Sequence, residues 1–167
     1  MSDYEHHPLL HPTRINIPQE IRLYLITLLN QSLACTLDLQ SQVKQASWNV
    51  KGTDFSQLQA LFETIATELN AYVNLMAERI VVLGGEVLGT VRTAATQSTL
   101  PEYPGGLVDG NAHVLALAER FAHYTTAIGH AIARAADVGD ANTAAIYTDI
   151  SRGVDKRLGD LDARLHR

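Results

Sequence analysis

Three histidines lie within the first eleven residues of the chain, at His6, His7 and His11. A neutral imidazole is a common ligand for transition-metal ions, so these side chains could bind such an ion together. This stretch contains Pro8 and is followed by Pro12, both of which interrupt helices, and it lacks apolar periodicity. Histidines on such an arm are also commonly solvated without any ligand, and the sequence leaves both interpretations open.

The polar side chains after Pro18 are predicted to lie on helices, because the apolar residues there recur in steps of three and four. No segment alternates with period two over the length of a strand, so the chain is predicted to be all-α. Residues 1–17 are predicted to form a flexible N-terminal arm, and residues 18–167 to form the helical domain. Four long helices are predicted, from Pro18 to near Gly52, from Phe55 to Leu83, from about Val114 to Ala135, and from about Asp140 to Leu165.

The lengths of the connections predict how the helices are arranged. The first two helices and the last two are each joined by only a few residues, which makes each pair antiparallel neighbours. About 25 residues, 84–108, separate the pairs. That length is enough to return along a four-helix bundle, and Leu88 to Gln97 could form a short helix within it. A simple up-and-down bundle with a long loop is the alternative.

Composition limits the functional classes. The net charge is −5, and the longest uncharged apolar run, Leu23 to Leu29, is too short to cross a bilayer. The first twenty residues contain no continuous apolar segment, so no signal peptide is expected. The lone Cys35 cannot form an internal disulfide, which agrees with a cytoplasmic location.

Three segments carry a family resemblance. They are KQASWNVKG at 44–52 followed by Phe55, then AERI at 77–80 with LGG at 83–85, and SRGVDK at 151–156. In this order they resemble the signatures of the Dps (DNA protection during starvation) family, which are mini-ferritins of the ferritin-like superfamily. The likeness runs in one register from about Ile17 to the C-terminus.

The resemblance implies a ferritin-like four-helix bundle, with a short helix in the long crossover, that assembles into a hollow homododecamer with tetrahedral symmetry. Such proteins are cytoplasmic, oxidise Fe(II), often with hydrogen peroxide, and store the ferric mineral inside the cage. They thereby protect the cell against oxidative stress. Their ferroxidase centre is shared by two subunits across a twofold axis. One subunit contributes two His, and the other contributes an Asp and a Glu one helical turn apart.

Most of these expected ligands are replaced in this chain. Ser47 stands at the position of the His before the Trp-Asn pair, and Gln59 stands at the position of the second His. Asn74 replaces the Asp, whereas Glu78 retains the Glu. Glu63 stands where a further acidic residue of the family assists the second metal ion. Because Asn74 and Glu78 are four residues apart, they share one face of their helix.

The replacements reduce the charge of the predicted site. Imidazole suits Fe(II) and carboxylates stabilise Fe(III), whereas Ser, Gln and Asn offer neutral oxygens that compete poorly with water. Glu78 and Glu63 are therefore the expected catalytic and metal-binding residues of a weak or altered site for iron or another divalent metal ion. In the alternative interpretation, Ser47, Gln59 and Asn74 form a hydrogen-bonded polar patch at a subunit interface.

Two further features follow from the resemblance. Trp48 would lie beside the centre and could intercept radicals, although a single aromatic side chain at a helix end can equally anchor an interface. Acidic residues near the start of the last helix line a threefold iron-entry pore in the family. Asp137 and Asp140 fit that region, and Asp149 could replace the carboxylates missing at Ala141 and Ala145.

Binding to DNA is expected to be weak or absent. The N-terminal arm has Arg14 as its only fixed positive charge, and the C-terminus adds Arg164, His166 and Arg167. Twelve chains would carry a charge of about −60, which repels a polyanion. The resemblance therefore implies an iron-storing cage, and the sequence leaves open whether ferroxidase activity survives. The alternative is a ferroxidase-inactive cage with a structural or DNA-protecting role.

Overall fold

The computed structural model describes residues 10–166, and within that range the chain forms five helices. Apart from one isolated bridge between Lys51 and Asp109, these residues contain no β structure. The prediction of an all-α fold is therefore confirmed. The helices are α1 (Gln19–Asn49), α2 (Phe55–Val82), α3 (Val91–Gln97), α4 (Gly110–Asp137) and α5 (Ala141–Leu165).

The connection between α2 and α4 travels the length of the bundle. It starts beside the first turn of α1, where Arg22 Nη1 donates to the Leu83 carbonyl at 3.0 Å. It ends beside the last turn of α1, where the Lys51 amide donates to the Val108 carbonyl at 3.0 Å. Helices α2 and α4 therefore run in the same direction. This excludes a simple up-and-down bundle and confirms the predicted crossover with its short helix, α3.

The short helix begins three residues later than predicted from Leu88. The Leu88 amide donates to Asn30 Oδ1 at 2.9 Å, which holds that residue in an extended connection. The helix starts at Val91 because the side chain of Thr90 accepts a hydrogen bond from the Thr93 amide at 3.2 Å. This contact satisfies one of the free amides of the first turn.

One apolar core runs between the four long helices. Two fully buried tyrosines lie within it, and each hydroxyl finds a partner on α1: Tyr124 with Thr36 at 2.7 Å, and Tyr147 with Ser32 at 2.8 Å. Both hydroxyls are therefore paired, which avoids the cost of burying them without a partner. Its largest buried apolar side chains include Leu25, Leu29, Leu33, Leu39, Phe62, Ile65, Leu69, Met76, Ile80 and Phe121.

The N-terminal segment preceding α1 lies against the end of α2. The His11 amide donates to the Gly84 carbonyl at 2.7 Å, and Leu10 and Ile17 pack on the core. Gly84 has φ +86°, and a Cβ there would lie 2.5 Å from the His11 carbonyl oxygen, so only glycine fits. Leu10, His11 and Ile17 of the predicted arm therefore contact the bundle.

Candidate metal centre

The turn between α1 and α2 brings three of the predicted site residues together. Ser47 is buried near the end of α1, and its hydroxyl donates to Glu63 Oε1 on α2 at 2.5 Å. The Gln59 side-chain amide donates to the Ser47 carbonyl at 3.4 Å. Ser47, Gln59 and Glu63 thus form one polar cluster. We call these three residues and Lys44 the Glu63 cluster.

Lys44 completes the cluster and was not among the predicted site residues. Its ammonium group lies 2.9 Å from both carboxylate oxygens of Glu63. The hydrogen bond from Ser47, followed by the hydrogen bond and charge of Lys44, lowers the pKa of the Glu63 carboxyl. The available sequence signal was spacing, since Lys44 precedes Ser47 by three residues and so shares its helix face. The Glu63 carboxylate is therefore ionised and already has a cationic partner.

Trp48 lies at the edge of the cluster and is largely exposed, with 69% of its surface accessible. The Lys44 ammonium lies 5.5 Å from the centre of its ring, a cation–π distance. An exposed indole beside a charged pair is compatible with both predicted roles, as an interface anchor and as a radical trap. The choice between those roles stays a prediction.

Asn74 and Glu78 lie elsewhere on α2, one turn apart and exposed. Asn74 follows Gln59 by fifteen residues, and Glu78 follows Glu63 by the same number. At 1.5 Å per residue, the two groups are about 22 Å apart along the helix. Asn74 therefore cannot share a polar patch with Ser47 and Gln59 within one chain. The two halves can meet only if a second copy contributes one of them.

A complete metal site is absent from residues 10–166, where no group of three or more His, Cys, Asp or Glu side chains is arranged to hold an ion. Of the predicted arm histidines, His6 and His7 lie outside the described residues. His11 has an exposed side chain, and its contact with the bundle is made by its backbone. The arm site therefore stays a prediction.

The predicted pore residues have different surroundings. Asp140 is buried, and its carboxylate accepts hydrogen bonds from Arg79 Nη2 at 2.9 and 3.0 Å and from the Thr143 hydroxyl. Burial opposes ionisation of Asp140, but the hydrogen bonds from Thr143 and Arg79 outweigh it and lower the pKa of the carboxyl. Within one chain, Asp140 therefore offers no free charge to a pore, whereas Asp137 is exposed.

A shallow depression does lie on the neighbouring surface of α5. Its lining is mostly small, and its one acidic side chain is Asp149, which lies 3.7 Å from Arg152. The carboxylate of Asp149 is thus partly balanced by a cation. Its lining residues are Ala136, Gly139, Ala141, Ala144, Ala145, Thr148, Asp149 and Arg152.

Comparison with known proteins places these features in a family. Residues 26–167 match the model of the ferritin-like domain family. The chain is 36% identical to the "DNA protection during starvation protein" of Agrobacterium fabrum, across 93% of this chain and 96% of that one. None of the helices in residues 10–166 is long and apolar enough to span a membrane.

Solved structures agree with this match. DpsC from Streptomyces coelicolor superposes with a TM-score of 0.89 at 27% identity, covering 93% of this chain and 91% of that one. Dps from Staphylococcus aureus superposes with a TM-score of 0.80 at 28% identity, covering 84% and 94% respectively. The order of the helices, the crossover and the sequence relatives therefore agree with one another.

Proposed function

This chain belongs to the Dps group of the ferritin-like family, and from that premise we propose that it stores iron and protects a bacterial cytoplasm against oxidative stress. We propose further that its ferroxidase centre is altered, so that it oxidises Fe(II) slowly. The observation that carries this second proposal is the Glu63 cluster. The Lys44 ammonium group and the Ser47 hydroxyl both donate hydrogen bonds to the Glu63 carboxylate, which a metal ion would need as a ligand.

A subunit interface is the natural place for the centre. Asn74 and Glu78 are exposed on α2, about 22 Å from Gln59 and Glu63. A twofold pair of antiparallel α2 helices would bring the Asn74–Glu78 half of one chain to the Gln59–Glu63 half of its partner, and the reverse, which creates two equal sites. Six such pairs form the proposed homododecamer, of about 220 kDa for an 18.2 kDa chain.

Each residue of this shared centre has a limited capacity for iron. Glu78 offers a carboxylate with no hydrogen-bond partner among residues 10–166, so it is the strongest candidate ligand for Fe(II). Glu63 can bind a metal ion only after the ion displaces Lys44. Ser47, Gln59 and Asn74 contribute neutral oxygens, which stabilise Fe(III) less than carboxylates do. The centre is therefore expected to bind iron, or another divalent ion, weakly.

The acidic charge of the chain favours iron storage over DNA compaction. The Agrobacterium relative is named for DNA protection, but a net charge of −5 per chain opposes the binding of a polyanion. Protection by removal of Fe(II) and its oxidants needs no contact with DNA. A ferroxidase-inactive cage is the second candidate function. Ser47, Gln59 and Asn74 favour it, because they replace the usual ligands and so lower the expected ferroxidase activity.

Restoring the family's ligands tests the proposal. The triple variant S47H/Q59H/N74D supplies two imidazoles and a carboxylate at the proposed positions. Stopped-flow absorbance after addition of Fe(II), with oxygen and separately with peroxide, should show oxidation at least about tenfold faster than in the wild-type protein. The matched control is S56H/Q57H/N70D, which makes the same three exchanges at exposed positions of α2.

The control variant should oxidise Fe(II) at the wild-type rate. A triple variant that folds into the same assembly but shows no acceleration would contradict the assignment of the centre. Wild-type oxidation as fast as that of the triple variant would contradict the idea that the natural ligand set is weak. Size-exclusion chromatography with light scattering, run on all three proteins, checks that the assembly is unchanged.

A further inference from the structure

The buried polar atoms that lack hydrogen-bond partners surround one short segment of the crossover. Among residues 10–166 these atoms are Gln42 Oε1, His113 Nε2 and Arg120 Nε. All three side chains are at least nine-tenths buried. Each also makes a hydrogen bond with the segment 101–103. Buried polar groups are normally satisfied, so three exceptions around one segment require an explanation.

The contacts come from two sides of the segment. From α1, the Gln42 amide donates to the Pro101 carbonyl at 3.0 Å. From α4, Arg120 Nη2 donates to the Glu102 carbonyl at 2.6 Å, and His113 Nδ1 lies 2.5 Å from the Tyr103 hydroxyl. The Tyr103 and His113 rings are stacked, with centres 5.9 Å apart. We call Gln42, Tyr103, His113 and Arg120 the crossover clasp.

We propose that the crossover clasp is acid-sensitive, and that protonation of His113 releases the segment 98–108 from the bundle. His113 is 1% exposed, and the Arg120 guanidinium lies 5.7 Å from the centre of the Tyr103 ring that stacks on it. Protonation would place a second buried cation in this cluster. Burying a charge is costly, and opening relieves that cost because the imidazolium ring then reaches water.

The groups around His113 determine the direction of the effect. Burial lowers the pKa of the His113 imidazole, whereas the nearby Leu107 carbonyl and Asp109 carboxylate act in the opposite direction and are outweighed. On α4, Glu119 lies 3.4 Å from Arg120 and partly balances its charge. From α1, Gln45 and Asn49 line a cavity of about 140 Å³ together with His113, and both are uncharged. No anion from α1 therefore lines this cavity to stabilise the imidazolium.

The direction of the pH dependence of clasp opening follows from proton linkage. The closed clasp binds a proton less readily than the open segment, whose histidine has the ordinary pKa of 6.5. The clasp is therefore closed most firmly above pH 6.5, and loosens as the pH falls below that value towards the lowered pKa. Opening takes up one proton in this window, so the opening constant should increase about tenfold per pH unit.

Release of the segment 98–108 would also affect the residues that follow α1. The Lys51 amide, two residues beyond α1, donates to the Val108 carbonyl at 3.0 Å. Lys51 and Asp109 also pair as an isolated parallel bridge. The segment 98–108 is therefore tied to the bundle by the clasp in its middle and by Lys51 at its end. At its start, the Ser98 hydroxyl donates to Asp38 Oδ2 at 2.6 Å and the Thr99 amide donates to Cys35 Sγ at 3.5 Å, so α1 also holds that end.

Amide hydrogen exchange read by mass spectrometry tests the proposal on the full-length protein. Peptides covering 98–108 are followed from pH 8 to pH 5, and the rates are corrected with an unstructured peptide of the same sequence. In the wild-type protein the corrected opening constant should increase about tenfold per pH unit below the onset. In H113Q, whose amide can still bond to Tyr103 but cannot be protonated, the constant should not vary with pH.

His123→Gln and His130→Gln are matched controls, since both side chains are exposed on the same helix. The His123 ring is also 3.5 Å from the Thr99 hydroxyl, so it lies next to the segment. Both variants should keep the wild-type pH profile. A flat profile in the wild-type protein, or an unchanged profile in H113Q, would overturn the proposal.

A second measurement needs no variant and decides the question if H113Q does not fold. Exchange of the imidazole C2 hydrogen, followed by mass spectrometry, reports the protonation midpoint of each histidine in the wild-type protein. His113 should titrate below pH 6.5. A midpoint at or above 6.5 would overturn the proposal.

Discussion

Two of the ion pairs that join α2 to its neighbours differ in their contact with water. Lys44–Glu63 bridges α1 and α2 and leaves 33% and 46% of the two side chains exposed. Arg79–Asp140 bridges α2 and α5 and leaves only 10% and 6% exposed. The shortest N–O distance is 2.9 Å in both pairs, so geometry alone does not distinguish them.

The difference in exposure implies a difference in role. Water and ions can reach Lys44–Glu63, so another cation can compete for Glu63 at little cost to the fold. Arg79–Asp140 has lost most of its hydration, and removal of either partner would leave an uncompensated buried charge. The first pair is therefore suited to exchange, and the second to fixing the position of α5 on α2.

The largest expected effect is on the stability of the buried pair. D140A should lower the free energy of unfolding by about 3 kcal/mol, because the Arg79 charge stays buried without its partner. Urea denaturation followed by circular dichroism measures this loss. E63A is the matched carboxylate deletion in the exposed pair and should change the free energy much less. Equal losses in the two variants would remove the distinction between the pairs.

A smaller effect is expected in the dependence of stability on pH. The lowered pKa of Asp140 means that its contribution to stability is complete above pH 3.8 and is lost as the pH falls below that value. In D140N, the free energy of unfolding should therefore decline less steeply between pH 4 and pH 2.5 than in the wild-type protein. Denaturant unfolding over that pH range provides the measurement. An unchanged slope would mean that Asp140 is not the group whose protonation matters there.

The smallest expected effect concerns metal affinity at the exposed pair. K44M removes the ammonium group from Glu63 but keeps most of the apolar side-chain volume. It should increase the affinity for Co(II), a spectroscopic substitute for Fe(II), by about tenfold, as expected for loss of a competing contact at a metal site. Titration calorimetry gives the affinity.

K156M removes an exposed lysine from α5 and serves as the matched control. It changes the net charge by the same amount as K44M but lies outside the Glu63 cluster. Its affinity for Co(II) should equal that of the wild-type protein. If K44M and K156M bind Co(II) equally well, Lys44 does not compete with a metal ion for Glu63.

The fold could be predicted from the sequence because it depends on patterns spread over many residues. Four apolar stripes and two short connections predicted the helices, and the long interval from Gly84 to Val108 predicted the crossover. The start of α3 was predicted three residues too early. Thr90, which caps the helix, is a local signal, but Leu88 is held outside the helix by a contact with Asn30 across 58 residues. Local sequence carries no signal for such a contact.

The site was predictable only in part for the same reason. The motifs identified Ser47, Gln59 and Glu63, which the structure brings together. They did not identify Lys44, because a lysine three residues before Ser47 is equally compatible with a solvated helix face. Asp140 was predicted as a pore residue from its position, but its burial against Arg79 depends on how α5 packs on α2.

The fifteen-residue interval between the two halves on α2 has a genetic consequence. In the proposed cage, each chain contributes its Asn74–Glu78 half to one centre and its Gln59–Glu63 half to another. A cell that makes two variants of the chain, one lacking Glu78 and the other lacking Glu63, would still assemble some intact centres. If the two versions mix at random in equal amounts, about a quarter of the centres receive both intact halves. Two loss-of-function alleles would then complement each other, which no single-chain centre allows.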